Sequence, residues 1–328
     1  MDTVTSNESA TQGLPPQRRV GLGRWLSRYG LPLALVLICG VLAWVSPHFL
    51  TWQNAIIILR QISINGLLAV GVTLVLLTGG VDLSLGSLVA LCGVAAASFA
   101  HPGEYPVPVP VLVGICVGLG CGILNGCVVT VGRVAPFIAT LGMMTAARGL
   151  ALIASGGRPV SNLSDSFLWI ARAELLGVPI PALLLSVVSV LTWVFLVRTR
   201  WGRHLYAVGG NEKAAHASGI AVTRIKILAY ALCGALAGLA GVVLASRATV
   251  GQPNAGVAYE LDAIAAVVIG GTSLSGGVGG IGGTLLGALL MGIINNGLDL
   301  MNVNAYYQQV VKGFIIVGAV WLDRRQRN

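Results

Sequence analysis

Apolar runs dominate the chain, broken only by short polar segments. They predict membrane-spanning helices near residues 30–50, 62–80, 81–100, 109–131, 134–154, 181–197, 227–246, 263–277, 279–299 and 306–322. These runs approach the ~20 residues a helix needs to cross a ~30 Å hydrocarbon core. The expected fold is an all-α polytopic membrane protein with about ten transmembrane helices. In two places the apolar pattern is interrupted in a similar way, by LTGGVDLSLG at 77–86 and by VIGGTSLSGG at 268–277. Glycine-rich breaks are where a membrane helix splits and lines a cavity, so 62–100 and 263–299 are expected to hold broken helices. The pairs Asn125-Gly126 and Asn296-Gly297 lie downstream of the two breaks and hint at internal duplication.

Composition agrees with the pattern. Hydrophobic residues make up 55% of the 328 positions and charged ones only 9%, against roughly 25% in a soluble domain. Glycine, with 45 residues, recurs at helical spacing in Gly114-x-x-x-Gly118-x-x-x-Gly122, Gly234-x-x-x-Gly238 and Gly283-x-x-x-Gly287. Such stripes let neighbouring helices approach closely, within one subunit or between two. The six cysteines all fall in apolar runs without a C-x-x-C pair, so they read as packing residues.

Charge supplies an orientation. With the N-terminus inside, the inner segments carry Arg18, Arg19, Arg24, Arg28, Arg133, Arg198, Arg200, Arg203, Lys213, Arg224, Lys226, Arg324, Arg325 and Arg327; the outer ones carry Arg60, Arg158, Arg172 and Arg247. The positive-inside rule therefore predicts that both termini are cytoplasmic. The domains follow: a tail at 1–29, a membrane domain at 30–322 with its largest inner loop at 198–226, and a tail at 323–328. The net charge of +9 is a topology signal and does not call for nucleic acid. A twin-arginine export signal at Arg18 and Arg19 is disfavoured, because the run that follows is long and lacks a cleavage site.

Several chemistries are excluded. The residues before Lys213, Lys226 and Lys312 are Glu, Ile and Val, so no Walker A phosphate loop exists and the chain does not hydrolyse nucleotide alone. His48, His101, His204 and His216 form no H-E-x-x-H, and no G-x-S-x-G elbow is present, so an intramembrane enzyme, a metal and a cofactor are not expected. Asp82, Arg148 and Lys312 fall at membrane depth, where ionisable groups are functional candidates. Asp82 is expected to cap backbone N–H groups at a helix start or to contact solute, Arg148 to snorkel to the outer surface, and Lys312 to face a partner helix or the pathway. One firm intramembrane carboxylate argues against an ion-driven relay. Asn65, Asp82, Asn125 and Asn296 are the candidate pathway residues, and uncharged polar groups suit a neutral polyhydroxylated solute.

The inner loop contains GGNEKAAHASGI, Gly209 to Ile220. Asn211 predicts a helix cap, Glu212 favours a first turn, Ala214 and Ala215 are strong helix formers, and Gly219 predicts a stop. A two-turn helix is unstable alone in water, so it must rest on the membrane face or on a partner.

Five stretches in order, LTGGVDLSLGS, GRVAPFIATLGMMT, YAVGGNEKAAHASGI, YELDAIAAVVIGGTSLSGG and YYQQVVKG, resemble the ribose-type permease subunits of bacterial ABC sugar importers. The resemblance runs from about residue 30 to the C-terminus. It implies a homodimer of permeases in the inner membrane, a cytoplasmic ABC ATPase subunit, a periplasmic sugar-binding protein and a monosaccharide substrate. It also implies that Asn211, Glu212, Lys213, Ala214, Ala215 and Gly219 form the helix that couples the ATPase to the pore. The loaded binding protein would dock on outer loops 155–180 and 247–262. Lys213 departs from the wider pattern by separating Glu212 from the alanines. The same architecture also serves inositols, furanose signals and branched-chain amino acids; an ion-coupled secondary transporter is the reading from another class.

Overall fold

The computed structural model describes residues 21–325. In chain order its elements are α1 (Gly21–Val45), α2 (Trp52–Leu77), α3 (Leu85–Ser98), α4 (Pro108–Thr130), α5 (Pro136–Ser155), α6 (Asp165–Arg172), β1 (Glu174–Leu175), β2 (Val178–Pro179), α7 (Ile180–Arg198), α8 (Arg200–Gly210), α9 (Glu212–Ala217), α10 (Val222–Ala248), α11 (Tyr259–Ile269), α12 (Ile281–Leu300) and α13 (Ala305–Arg325). Six of these, α2, α4, α5, α7, α10 and α12, are long and apolar enough to cross a membrane. The predicted all-α polytopic architecture is therefore present. Of the inner-side arginines, Arg18, Arg19 and Arg327 lie outside the described residues.

Two predicted spans are corrected. The helix expected at 81–100 is α3, only 14 residues, and that expected at 263–277 is α11, only 11 residues. At 1.5 Å per residue these reach roughly 21 and 16 Å, too short to cross the hydrocarbon alone. The missing length is extended or turning chain at 78–84 and 270–280, where Gly79, Gly271, Gly276 and Gly277 take positive φ. Both glycine-rich interruptions thus end helices. The helix of the first predicted span starts at Gly21, and its apolar part runs Gly30–Val45, as expected at residue 30. The expected loop at 155–180 contains α6, capped by Ser164, and the two-residue hairpin β1–β2.

α10 and α2 occupy the centre, with Tyr230, Leu67, Leu68, Leu76 and Leu77 fully buried. The glycine stripes explain how α4 reaches α10. A methyl group added at Gly118 would lie on the Gly234 carbonyl oxygen, 2.9 Å from the Gly238 nitrogen, and one added at Gly122 would meet the Tyr230 carbonyl. Gly283 and Gly287 likewise face the backbone of Gly270 and Ala266, joining α12 to α11. Of the two roles open for these stripes, packing within the subunit is the one seen.

α2 and α12 are further tied by a buried amide pair. Asn54 Nδ2 donates to Asn296 Oδ1 at 3.0 Å, and Asn296 Nδ2 donates back to Asn54 Oδ1 at 2.7 Å. Replacing Asn296 by alanine strands one amide in a dry interface and is expected to lower stability by about 1–2 kcal/mol. Thermal unfolding in detergent checks this, with Asn65→Ala as the half-buried comparison.

Candidate functional site

Two features stand out: an exposed helical turn at one end of the bundle and a buried polar cluster beside the first helix break. At the exposed end, α7 stops at Arg198 and Thr199 caps α8, its Oγ1 accepting from Gly202 N at 3.1 Å. Gly202, Leu205 and Val208 give α8 a buried side, while Arg200 and Arg203 are exposed.

Asn211 is the only residue between α8 and α9, and its extended backbone turns the chain. Its Oδ1 accepts from Ala214 N at 2.9 Å, which is the cap expected from sequence. Glu212 pairs with Lys226 of α10 at 2.7 Å, fixing α9 against the start of the following helix. Ala215 is buried beneath α9, whereas Lys213, Ala214, His216 and Ala217 face outward. Ile220 N donates to Ala215 O, and Gly219 sits at φ +82° with no neighbour within 4 Å of where a side chain would start. The result is a capped, two-ended knob whose outer face is exposed among the described residues.

The buried cluster centres on Asp82, which is fully inaccessible. Asp82 Oδ1 accepts from Ser84 N at 2.9 Å and from Ser84 Oγ at 2.6 Å, so the carboxylate satisfies chain just ahead of α3. Asn125 Nδ2 on α4 donates to the same Ser84 hydroxyl at 3.1 Å, and Tyr230 OH donates to Val81 O at 3.2 Å. Asp82 Oδ2 has no hydrogen-bond partner among the described residues.

The structure therefore brings Asp82 and Asn125 together through Ser84. Neither Asn65 nor Asn296 shares in these hydrogen bonds: Asn65 is half-buried on α2 and Asn296 is paired with Asn54. Arg148 reaches toward the 247–262 segment that was expected on the outer side. Its Nη1 donates to Pro253 O and Ala255 O, both at 2.7 Å, and so holds the chain that leads into α11. Of the two roles open for Lys312, it faces a neighbouring helix, pairing with Asp262 of α11 at 2.8 Å.

Sequence reading missed Glu260 and Asp262, assigning 247–262 to an outer loop. The segment instead enters α11 at Tyr259, and the Glu260 carboxylate lies over Gly86 in the first turn of α3. The signal was available: two acidic residues, two apart, open a run that is otherwise apolar. The loops expected at 155–180 and 247–262 do meet, through paired backbone bonds between Val160 and Gly251. Among the described residues no group of three His, Cys, Asp or Glu is placed to hold a metal ion.

Comparison with known proteins follows the same lines. The family described as "Branched-chain amino acid transport system / permease component" matches residues 54–320. The ribose import permease protein RbsC of Bacillus subtilis (strain 168) is 46% identical over 312 residues, covering 94% of this chain and 97% of the relative. RbsC of Escherichia coli (strain K12) is 46% identical over 314 residues, covering 94% and 98%. The D-allose transport system permease protein AlsC of E. coli (strain K12) is 38% identical, covering 90% and 91%. No solved structure matches. Six membrane-crossing helices and these relatives make the chain a multi-pass protein of the bacterial inner membrane. With a family match over most of its length and relatives well above a third identical from end to end, this chain belongs to the ribose-type permease subunits of ABC importers.

Proposed function

We propose that two copies of this chain form the membrane pore of an importer for a neutral monosaccharide of the ribose type, driven by ATP hydrolysis on a separate subunit. Both termini and the α8–α9 end lie in the cytoplasm. Ten passes include α1, α13 and the two short helices α3 and α11. A periplasmic binding protein delivers the sugar to the opposite end, where the 155–180 and 247–258 segments meet.

The observation that carries this reading is α9. A helix of six residues, capped by Asn211, clamped by Glu212 to Lys226 and exposed except at Ala215, presents a fixed outer face. It suits a cleft in a cytoplasmic ATPase, whose closure pushes the knob and switches access of the paired pores. The neutrality of the solute is supported at α3. A short helix starting inside the bundle presents free N–H groups that attract anions, yet here Asp82 and Glu260 already occupy that end. A solute bearing a carboxylate, such as a branched-chain amino acid, therefore finds that helix start already taken.

The test uses the permease with its ATPase and binding protein in proteoliposomes. Glu212→Ala with Gly219→Val is expected to lower ATP-dependent uptake of radiolabelled D-ribose at least tenfold while membrane insertion is unchanged, within the range of a coupling free energy of about 1–3 kcal/mol. Undiminished uptake overturns the role of α9. Uptake of leucine in place of ribose, D-allose or L-arabinose overturns the substrate class.

A further inference from the structure

α9 is attached to the rest of the bundle on both sides, and its attachment through α8 is unusually direct. The C-terminal end of α8 touches both helix breaks at once, backbone on backbone. A methyl group added at Gly209 would fall on the Leu77 carbonyl oxygen at the end of α2 and on the Gly277 nitrogen in the 270–280 loop. One added at Gly276 would meet Gly79 N at 2.8 Å and Gly209 Cα and O at 2.9 Å. One added at Gly277 would meet Gly210 Cα at 2.8 Å and Gly210 N at 2.9 Å. The two breaks are themselves joined, with Gly277 N donating to Leu77 O at 3.0 Å, and Tyr206 OH on α8 donates to Gly279 O at 2.9 Å.

We propose that Gly209, with Tyr206, is the joint through which α8 drives both interrupted helix pairs, α2–α3 and α11–α12, in a single movement. The inference rests on the coupling role proposed for α9. A contact made through side chains absorbs a displacement by changing rotamer. Peptide planes in van der Waals contact have no such freedom, and close-packed interiors transmit strain. The receiving segments can yield, because Gly79, Gly276 and Gly277 hold left-handed φ values of +75°, +87° and +74° that let chain direction change within one or two residues. A push on α9 crosses one residue, Asn211, to reach α8. At Gly209 it reaches the end of α2, which leads into α3, and the turn between α11 and α12. The arrangement explains why the glycines of YAVGG and of both breaks coincide in space although they are distant in sequence.

Gly209 and Tyr206 are positioning residues, so the readout must separate coupling from integrity. The whole importer, permease with ATPase and binding protein in lipid nanodiscs for ATPase and in proteoliposomes for uptake, is compared as wild type, Gly209→Ala and Tyr206→Phe. Tyr206→Phe removes one hydroxyl and leaves the packing, so it keeps the test valid if Gly209→Ala does not assemble. Both variants are expected to copurify with the ATPase and to hydrolyse ATP at a basal rate within twofold of wild type. D-ribose moved per ATP is expected to fall about tenfold for Gly209→Ala, a coupling loss of the usual size, and about threefold for Tyr206→Phe, the effect of one lost hydrogen bond. A ratio of sugar to ATP that stays at the wild-type value in Tyr206→Phe overturns the joint, whether or not Gly209→Ala assembles. A wild-type chain that recruits no ATPase overturns the role of α9 itself, which distinguishes failure of that reading from failure of this one.

Discussion

Replacing Gly118 by leucine is expected to leave the chain inserted in the membrane but unable to form its native bundle. Leucine favours insertion, so the change acts only on packing between helices. In lipid there is no hydrophobic drive to bring α4 and α10 together; their association depends on van der Waals contact and on how closely the backbones approach. At Gly118 that approach leaves no room, since even a single carbon meets the Gly234 carbonyl and the Gly238 backbone. Backbone atoms cannot rotate aside, so the helices must separate along the whole seam formed by Gly114, Gly118 and Gly122. Inserting one or two methylenes into a packed core costs about 1–3 kcal/mol, and a four-carbon side chain against backbone exceeds that range. A loss above about 4 kcal/mol is a large part of a typical 5–15 kcal/mol total. The expected reading is a broad, aggregated size-exclusion profile in detergent. Gly120→Leu provides the contrast, because no atom lies within 4 Å of its added carbon. That variant is expected to elute as wild type and to melt within about 0.5 kcal/mol of it. Identical behaviour of the two variants refutes the seam.

That seam was legible in the sequence because it depends on one periodicity. Glycine every fourth residue has one physical use in a membrane helix, and both halves of the contact carried it. The cap at Asn211 and the stop at Gly219 were legible for a similar reason, since capping chemistry is local. Helix length was not legible at α3 and α11. Apolar composition continues through Val278 and Ile281 and through Val81 and Leu83, so a count of hydrophobic residues runs past the break. Only the glycines marked it, without saying how many residues leave the helix. The Asn54–Asn296 pair, 242 residues apart, lies beyond any local rule. For Arg148 the sequence suggested the outward reach but not the carbonyls of Pro253 and Ala255, supplied from another part of the chain, that receive it.

The second large effect is expected at Lys312. Its ammonium lies 2.8 Å from the carboxylate of Asp262, whose side chain is only 6% exposed, and the pair joins the peripheral α13 to α11. Removing one partner of a buried pair leaves the other charge without compensation, at a cost of about 3–5 kcal/mol. Lys312→Met should therefore destabilise the detergent-solubilised protein strongly although methionine matches the lysine stem in bulk. Asp262→Leu in the same chain removes the stranded charge, and hydrophobic replacement of a whole buried pair is often neutral or stabilising. The double variant is thus expected to recover most of the loss, giving a coupling energy well above the few tenths of a kcal/mol seen between independent sites. A single variant that melts within about 1 kcal/mol of wild type refutes the buried pair. Transport by the recovered double variant then separates two roles. A stable, active double variant makes the pair a structural tie that holds α13 on α11. A stable but inactive one shows that α11 needs the charge itself, and α11 enters the loop that meets Gly209.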